Sequence, residues 1–382
     1  MSFVTGIQNF YIQLVKGRFK RVEAKENKFY QPASEEGISL HASLISINRY
    51  SRQVLVASIG RAGQEKLSKS RVSLIGCGAL GTVIANNLAR AGIGYIRIAD
   101  RDFVELDNLQ RQMLFDEEDV EKGIPKAVAA ANKLQKINSS IKIEAEVKDI
   151  NPRNIEEVIN DVDIVLDGTD NFEIRMLINE ACFKHRIPWI YGAAISSYGM
   201  TMNIIPGVTP CFRSILPSLP APGSTDTCDT VGVLNAITSI IASIQSNEAI
   251  KILLGDTNLS RELLIIDLMN NTFEKMAVKE RDDCPLCRKG EFEYLNRKGS
   301  LEPIKLCGRN MIQITPQREM GVSLEYLKEK LEKLGDVSFM GYLLKFKMGQ
   351  YELIIFPDGR AFVKGCADET IAKSLYTKYI GV

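Results

Sequence analysis

The segment "RVSLIGCGALGTVIANNLARAG", residues 71 to 92, constrains this chain more than any other. A short β-branched and aliphatic run ends in glycines at Gly76, Gly78 and Gly81, and a helical pattern, "TVIANNLARAG", opens at the last of them. Glycine permits a tight turn and lets the backbone approach a phosphate, while the amino terminus of the helix presents unpaired N–H groups and a partial positive charge. About twenty residues on, Asp100 ends the next strand, "GYIRIAD", where an acid accepts hydrogen bonds from ribose hydroxyls. Taken alone, these features fit a nicotinamide dehydrogenase as well as any other enzyme that holds a diphosphate.

The pattern then repeats. "RVSLIG", "GYIRIAD", "KIEAEV", "VDIVLDG" and "IPWIYGAA" are separated by amphipathic stretches, which predicts βαβ units and a parallel sheet wrapped by helices from Arg49 to about Leu254. "ELLIIDLMNNTFEKMAV", residues 262 to 278, reads as two strands around an "MNN" turn. Beyond it, "NMIQITP", a helix in "SLEYLKEKLEKLG", two strands in "SFMGYLLKFKMG" and "YELIIFPDGRAFVKG", and a helix in "DETIAKSLYTKYIG" predict a β-α-β-β-α unit, an open-faced sandwich. The expected fold class is α/β, with a Rossmann-like parallel-sheet domain over residues 49–290 and a small α+β domain over 305–382. Residues 1–48 alternate short apolar and polar pieces and read as a small β element or an arm. A chain of 382 residues with 45% hydrophobic content has length for a large core and a second unit.

Composition narrows the partners. Lys plus Arg is 48 against 47 for Asp plus Glu, so the net charge of +1 supplies no field that would recruit nucleic acid or an anionic membrane. No apolar run reaches the ~18 residues of a membrane span, and the opening "MSFVTGIQNFYIQLVKGRFK" lacks the charged start and apolar block of a signal peptide. The expectation is a cytoplasmic protein. Eight cysteines spread over 382 residues do not resemble a disulfide framework and suggest thiols, a metal or a nucleophile. With two histidines, His41 and His185, a histidine-based mechanism is not expected.

The segment "DNLQRQ", residues 107 to 112, points away from a dehydrogenase. It sets Asn108 and Arg111 a helical turn apart near the expected phosphates, a clamp that hydride transfer does not need. Transfer at phosphorus does need it, because fixed cations stabilise the charge that develops on the phosphate oxygens. Lys126, in "KGIPKA" at the start of a further helix, is placed to join them. The strand "VDIVLDG" ends in Asp167, Gly168, Thr169, Asp170 and Asn171, at the carboxyl edge where parallel sheets bind ligands. Asp170 is suited to hold magnesium against phosphate and Asn171 stands beside it as a further cofactor-binding candidate, while both also suit capping of the helix "FEIRMLINEACFKH", one capping as the other binds.

"RYSRQ", "GCGALG", "IADRDFVELDNLQRQ", "GIPKA", "LDGTDN" and "TCDTVGVLNAITSIIASIQSNEAIKILLG", in this order over about residues 49 to 290, resemble the ubiquitin-activating-enzyme-like adenylyltransferases, the ThiF, MoeB and HesA group. Within it the chain is most similar to enzymes that charge sulfur-carrier proteins for thiamine or molybdopterin synthesis. The resemblance implies adenylation of the carboxy-terminal glycine of a small ubiquitin-like protein: its carboxylate attacks the α-phosphorus of ATP and pyrophosphate leaves. Asp100 would bind ribose, Asn108, Arg111 and Lys126 the triphosphate, and Asp170 would take the magnesium or the attacking-carboxylate role. Arg52, in "RYSRQ", resembles an arginine that enters the partner subunit's ATP site, which implies a homodimer.

The resemblance also bears on the cysteines. Members commonly carry two C-x-x-C pairs for a structural zinc. Here "CPLC" keeps Cys284 and Cys287, whereas "CFRS" keeps Cys211 and puts Ser214, a poor zinc ligand, in its partner's place. Cys228, before a long helix, matches the position of a nucleophilic or sulfur-accepting cysteine in some relatives, although Asp226 and Asp229 flank it and oppose thiolate formation. Cys77, Cys182, Cys307 and Cys366 read as packing residues, and Trp189 as core or pocket wall. Two alternatives remain: adenylation of a ribosomal peptide, with residues 1–48 as a peptide-holding arm, and a non-catalytic scaffold for a ubiquitin-like protein.

Overall fold

A computed structural model describes residues 49–221, 228–297, 304–305, 311–316 and 321–381. The reading of residues 1–48 as a β element or arm lies outside the described residues.

The helices, in chain order, are α1 (Gly60–Lys69), α2 (Ala79–Ala91), α3 (Glu117–Glu121), α4 (Lys126–Ile137), α5 (Ile155–Val158), α6 (Phe172–His185), α7 (Cys228–Val231), α8 (Asn235–Leu254), α9 (Leu324–Leu331) and α10 (Glu369–Tyr379). The strands β1 (Arg71–Ile75), β2 (Tyr95–Ala99), β3 (Lys142–Glu146), β4 (Ile164–Asp167), β5 (Trp189–Ile195), β6 (Tyr198–Ile204), β7 (Leu263–Asp267) and β8 (Thr272–Met276) form one sheet in the order β3-β2-β1-β4-β5-β6-β7-β8. The first five are parallel and the last three are added antiparallel. The two strands foreseen around the "MNN" turn are β7 and β8.

The register fixes the site. Ile75 lies opposite Ala99 on one side and Asp167 on the other, so three strands end in one row. The chain order reverses between β1 and β4, and that reversal opens the crevice in which doubly wound sheets bind ligands. Apolar runs in β1 and β4 are buried from end to end, as expected of strands covered on both faces.

The strands β9 (Ile304–Lys305), β10 (Met311–Ile314), β11 (Asp336–Phe339), β12 (Leu344–Met348), β13 (Tyr351–Ile355) and β14 (Ala361–Lys364) form a second, antiparallel sheet in the order β11-β12-β13-β14-β10-β9. The sequence reading of two strands after α9 is corrected here: each stretch turns back on itself, the first near Gly341 and the second at "PDGR", and supplies two strands. The open-faced description is also corrected. Leu353, Ile355, Ala361 and Val363 pack with Leu327 and Tyr376 of the helices, whereas Ile354, Phe356 and Phe362 point the other way and bury against Phe103 of the larger domain. A strand with large apolar residues at both phases of a two-residue period is covered on both faces.

Candidate active site

The glycine turn after β1 is built by backbone packing. Gly76 takes φ +87°, and a Cβ there would sit 2.7 Å from the backbone carbonyl of Gly168. A Cβ on Gly81 would fall on the Gly76 carbonyl oxygen. Three glycines from the β1 turn, the start of α2 and the end of β4 therefore touch with no room for side chains. Gly78 caps α2 without a side-chain hydrogen bond, so the first N–H groups of a thirteen-residue helix have no side-chain cap.

Asp100 follows β2 and faces this turn. Its Oδ2 accepts the Cys77 N–H at 2.6 Å and its Oδ1 accepts the Asp102 N–H at 2.7 Å. Burial pushes its pKa up, and the nearby Lys126 ammonium opposes that rise. Lys126 is the first residue of α4 and is 5% exposed, with Nζ 3.3 Å from Asp102 Oδ2. Its backbone N–H donates to the Asp102 carbonyl at 2.9 Å. A lysine buried to this degree is retained where its charge has a partner or a task.

The remaining expected residues divide. Asn108 is fully buried, and its side chain organises its own turn, with Nδ2 donating to Asp107 and Oδ1 accepting from the Glu105 N–H. Arg111 is half-buried and donates from Nη1 to the Asp107 carbonyl at 2.7 Å. Asn171 caps α6 by accepting from Glu173 and Ile174 N–H groups, while Asp170 beside it is exposed. Of the two capping candidates, Asn171 thus fills that role and leaves the Asp170 carboxylate outside the cap. Arg52 is exposed at the start of a 3-10 turn.

Three features escaped the sequence reading. Asp102, two residues past Asp100, is the ion-pair partner of Lys126. Gln112, the last residue of "DNLQRQ", is buried, with Oε1 unpaired and Nε2 toward Gly78. Beneath the crevice lies a buried ion pair: Arg175 Nε meets Asp167 Oδ2 at 2.9 Å, and its Nη2 donates to the Thr169 and Gly192 carbonyls. Gln245 of α8 donates to the Asp167 and Ile190 carbonyls. Its only sequence signal is a strand-end acid followed, eight residues on, by an arginine inside an apolar helix.

The cysteine corner is separate. Cys211, Cys284 and Cys287 bring their sulfurs within 4.8 Å of one another, with Cys211 and Cys284 3.6 Å apart. Hydrogen bonding from Cys287 draws the Cys211 thiol down to about 6, and the same contact pushes Cys287 up. Ser214, three residues past Cys211, has a hydroxyl that is buried and unpaired. Glu180 anchors the corner: its carboxylate accepts the N–H groups of Glu293, Tyr294 and Leu295 and pairs with Arg213. Three adjacent sulfurs fit a thiophilic ion such as zinc. Cys77, Cys182 and Cys366 are buried packing residues, as expected, and Trp189 lies in the core. Cys228 begins α7 with Sγ 3.5 Å from the Ala194 carbonyl. Cys307, His41, Asp226 and the Asp229 side chain lie outside the described residues. His185 is exposed beside Glu156, away from the crevice. Among the described residues, no helix is long and apolar enough to cross a membrane.

Comparison with known proteins adds to this geometry. A profile described as the ThiF family matches residues 50–286. The sulfur carrier protein ThiS adenylyltransferase of Bacillus subtilis is 41% identical over 336 residues, which span 87% of this chain and 99% of that protein. The SAMP-activating enzyme E1 of Haloferax volcanii is 35% identical over 254 residues, 66% of this chain and 93% of that one. Among solved structures, E. coli MccB bound to MccA-N7isoASN superposes with a TM-score of 0.56 at 23% identity, covering 63% of this chain and 75% of that one, a likeness of fold.

Proposed function

This chain belongs to the ThiF family and is an adenylyltransferase, and we propose that it uses ATP to adenylate the carboxy-terminal glycine of a ubiquitin-like sulfur carrier. The observation that carries the reading is Lys126, a buried cation paired with Asp102 beside the open start of α2. A dehydrogenase leaves that cation without a task. The family relatives named as acting on ThiS and SAMP support the substrate class.

In this reading the backbone N–H groups at the start of α2 receive phosphate oxygens, and Asp100 receives the ribose hydroxyls on the oxygen lone pairs that its two amides leave free. The carrier carboxylate, ionised at neutral pH, attacks the α-phosphorus. The bond from that phosphorus to the bridging oxygen breaks, pyrophosphate departs, and an acyl adenylate remains. No general base is needed. Lys126, Arg111 and the amide of Gln112 stabilise the charge gathering on the departing and equatorial oxygens more than they stabilise the ground state. Asn108 serves indirectly, by fixing the turn from which Arg111 and Gln112 project. Asp170 would hold magnesium, whose chemistry is to polarise the phosphate oxygens. In a homodimer Arg52 would act on the partner's nucleotide, as arginine fingers worth about 10³ to 10⁵ in rate do elsewhere. Cys228, at the start of α7, is assigned to attack the acyl carbon of the adenylate as a thiolate, forming a thioester as the bond to AMP breaks and AMP leaves. Cys211, Cys284 and Cys287 would hold a structural zinc.

Pyrophosphate exchange into ATP, run with and without a carrier ending in Gly-Gly, tests the reading. Carrier-dependent exchange is expected, falling by about 10² to 10³ in Lys126→Ala; nicotinamide binding without exchange would sink it. A short peptide substrate in a third arm addresses the alternative, peptide adenylation. Metal analysis of the purified protein tests the cysteine corner. One zinc per chain, lost in Cys284→Ser, is the expected result.

A further inference from the structure

The antiparallel sheet of the C-terminal domain reaches the two segments that form the wall of the nucleotide crevice. Residues 102 to 104 and 123 to 126 are paired to each other: the Val104 N–H donates to the Ile124 carbonyl at 3.0 Å, the Lys126 N–H donates to the Asp102 carbonyl at 2.9 Å, and Phe103 bridges Pro125. These segments carry Asp102 and Lys126, and residues of the C-terminal domain pack on Phe103 and Gly123 within them.

Three contacts make the grip. Arg360, 1% exposed and fixed by Asp358, donates from Nη1 to the Arg101 carbonyl at 3.1 Å. Gln313, fully buried on β10, donates to Asp149 Oδ2, whose other oxygen takes the Arg101 guanidinium at 3.0 Å; Arg101 in turn lies 3.8 Å from Asp102. Met340 packs so closely on Gly123 that a side chain there would run into its sulfur, and Gly123 begins the turn leading to Lys126. Phe103 itself is buried among Phe356 and Phe362, with Lys345 over its ring at 5.3 Å. Neither Gln313, Arg360 nor Met340 has a role in closing the C-terminal domain's own helix-covered core, which lies on the opposite face of that sheet. Buried polar side chains that leave their own domain to bind a neighbour's backbone and carboxylate specify a relative position.

We propose that the C-terminal domain is a working part of the nucleotide site, its residues Gln313, Arg360 and Met340 acting as positioning residues that hold the Asp102 and Lys126 segments in the geometry that binds the triphosphate. The proposal rests on the adenylation reading for the identity of the nucleotide. It assigns the domain a task in ATP affinity rather than in contact with the carrier.

The test uses the full chain and ATP itself. Gln313→Leu removes the amide that holds Asp149 at nearly constant volume, and Met340→Ala, at a half-buried loop position, loosens Gly123 and trims only the edge of the Phe103 cluster. Each is expected to raise the dissociation constant for ATP, measured by equilibrium dialysis, by about five- to ten-fold. The rate at saturating ATP and carrier is expected to fall as well, by about two- to five-fold, because a displaced Lys126 also stabilises the transition state less. Lys345→Ala, partly exposed, is expected to raise the dissociation constant by about two-fold. Thermal scans accompany each variant, and should Gln313→Leu fail to fold, Met340→Ala and Lys345→Ala decide. Unchanged ATP affinity in the folded variants overturns the proposal and leaves the adenylation reading intact. A parent that binds ATP but shows no carrier-dependent exchange overturns the adenylation reading, and the variants' ATP affinities still decide the proposal. A parent that does not bind ATP overturns both.

Discussion

The crevice at the end of β1 and β4 and the helix-covered face of the C-terminal sheet are held together by opposite means. In the crevice, Gly76, Gly81 and Gly168 meet backbone to backbone, and the charged pair Asp167 and Arg175 is buried beneath them. On the C-terminal sheet, Leu353, Phe346 and Val363 pack against Leu327 and Tyr376 with ordinary apolar contacts. An apolar core tolerates exchange of one aliphatic residue for another of similar volume. A glycine junction over a buried ion pair tolerates almost nothing, because a methyl group meets a carbonyl and a lost partner strands a charge. Rigidity is thus concentrated at the glycine turn and the strand ends beneath it, and the C-terminal core has no such demand.

Four substitutions sharpen the contrast. The largest effect is expected from Arg175→Met, which leaves Asp167 as an uncompensated buried carboxylate and lowers the unfolding free energy by about 3–5 kcal/mol in urea titration. A loss below about 1 kcal/mol would mean that charge does not hold the crevice. Leu353→Ala, which opens a cavity in the apolar core, is expected to cost about 2–5 kcal/mol. The smallest effect comes from a matched pair of helix caps. Asn171 accepts two N–H groups of α6 beside Asp170, and Asp368 accepts two N–H groups of α10 in the same way. Asn171→Ala and Asp368→Ala should each cost about 1 kcal/mol. Only the first should also slow pyrophosphate exchange, because it frees the turn that presents Asp170. Equal exchange rates in the two would detach the α6 cap from the site.

Much of the fold was legible because its signals are local. The strand, glycine turn and helix of residues 71 to 91 lie within one supersecondary unit, and the βαβ repeat that follows leaves a pattern in every segment. The C-terminal unit was less legible. Its hairpins near Gly341 and at "PDGR" lie inside stretches that read as single strands, and its second apolar phase was mistaken for an open face although Ile354, Phe356 and Phe362 alternate with Leu353, Ile355 and Ala361. Asp100, Arg111 and Lys126 were named by residue type and motif, and the structure sets Asp100 and Lys126 near one another. Their partners were not so named, since Asp102 is one of many acids until the 3.3 Å distance to Lys126 is known.

By itself, the sequence determined that a glycine turn would form after β1, that a parallel sheet would carry it, and which cations were candidates to serve it, because each depends on the chemistry of residues close together in the chain. Tertiary structure decided which distant groups meet: Arg175 with Gly192, Cys211 with Cys284, Gln313 with Asp149. Such pairs are separated by 17, 73 and 164 positions. Their encounter is set by strand order and by how the two sheets pack, and a side chain's identity carries no record of what the fold will bring beside it.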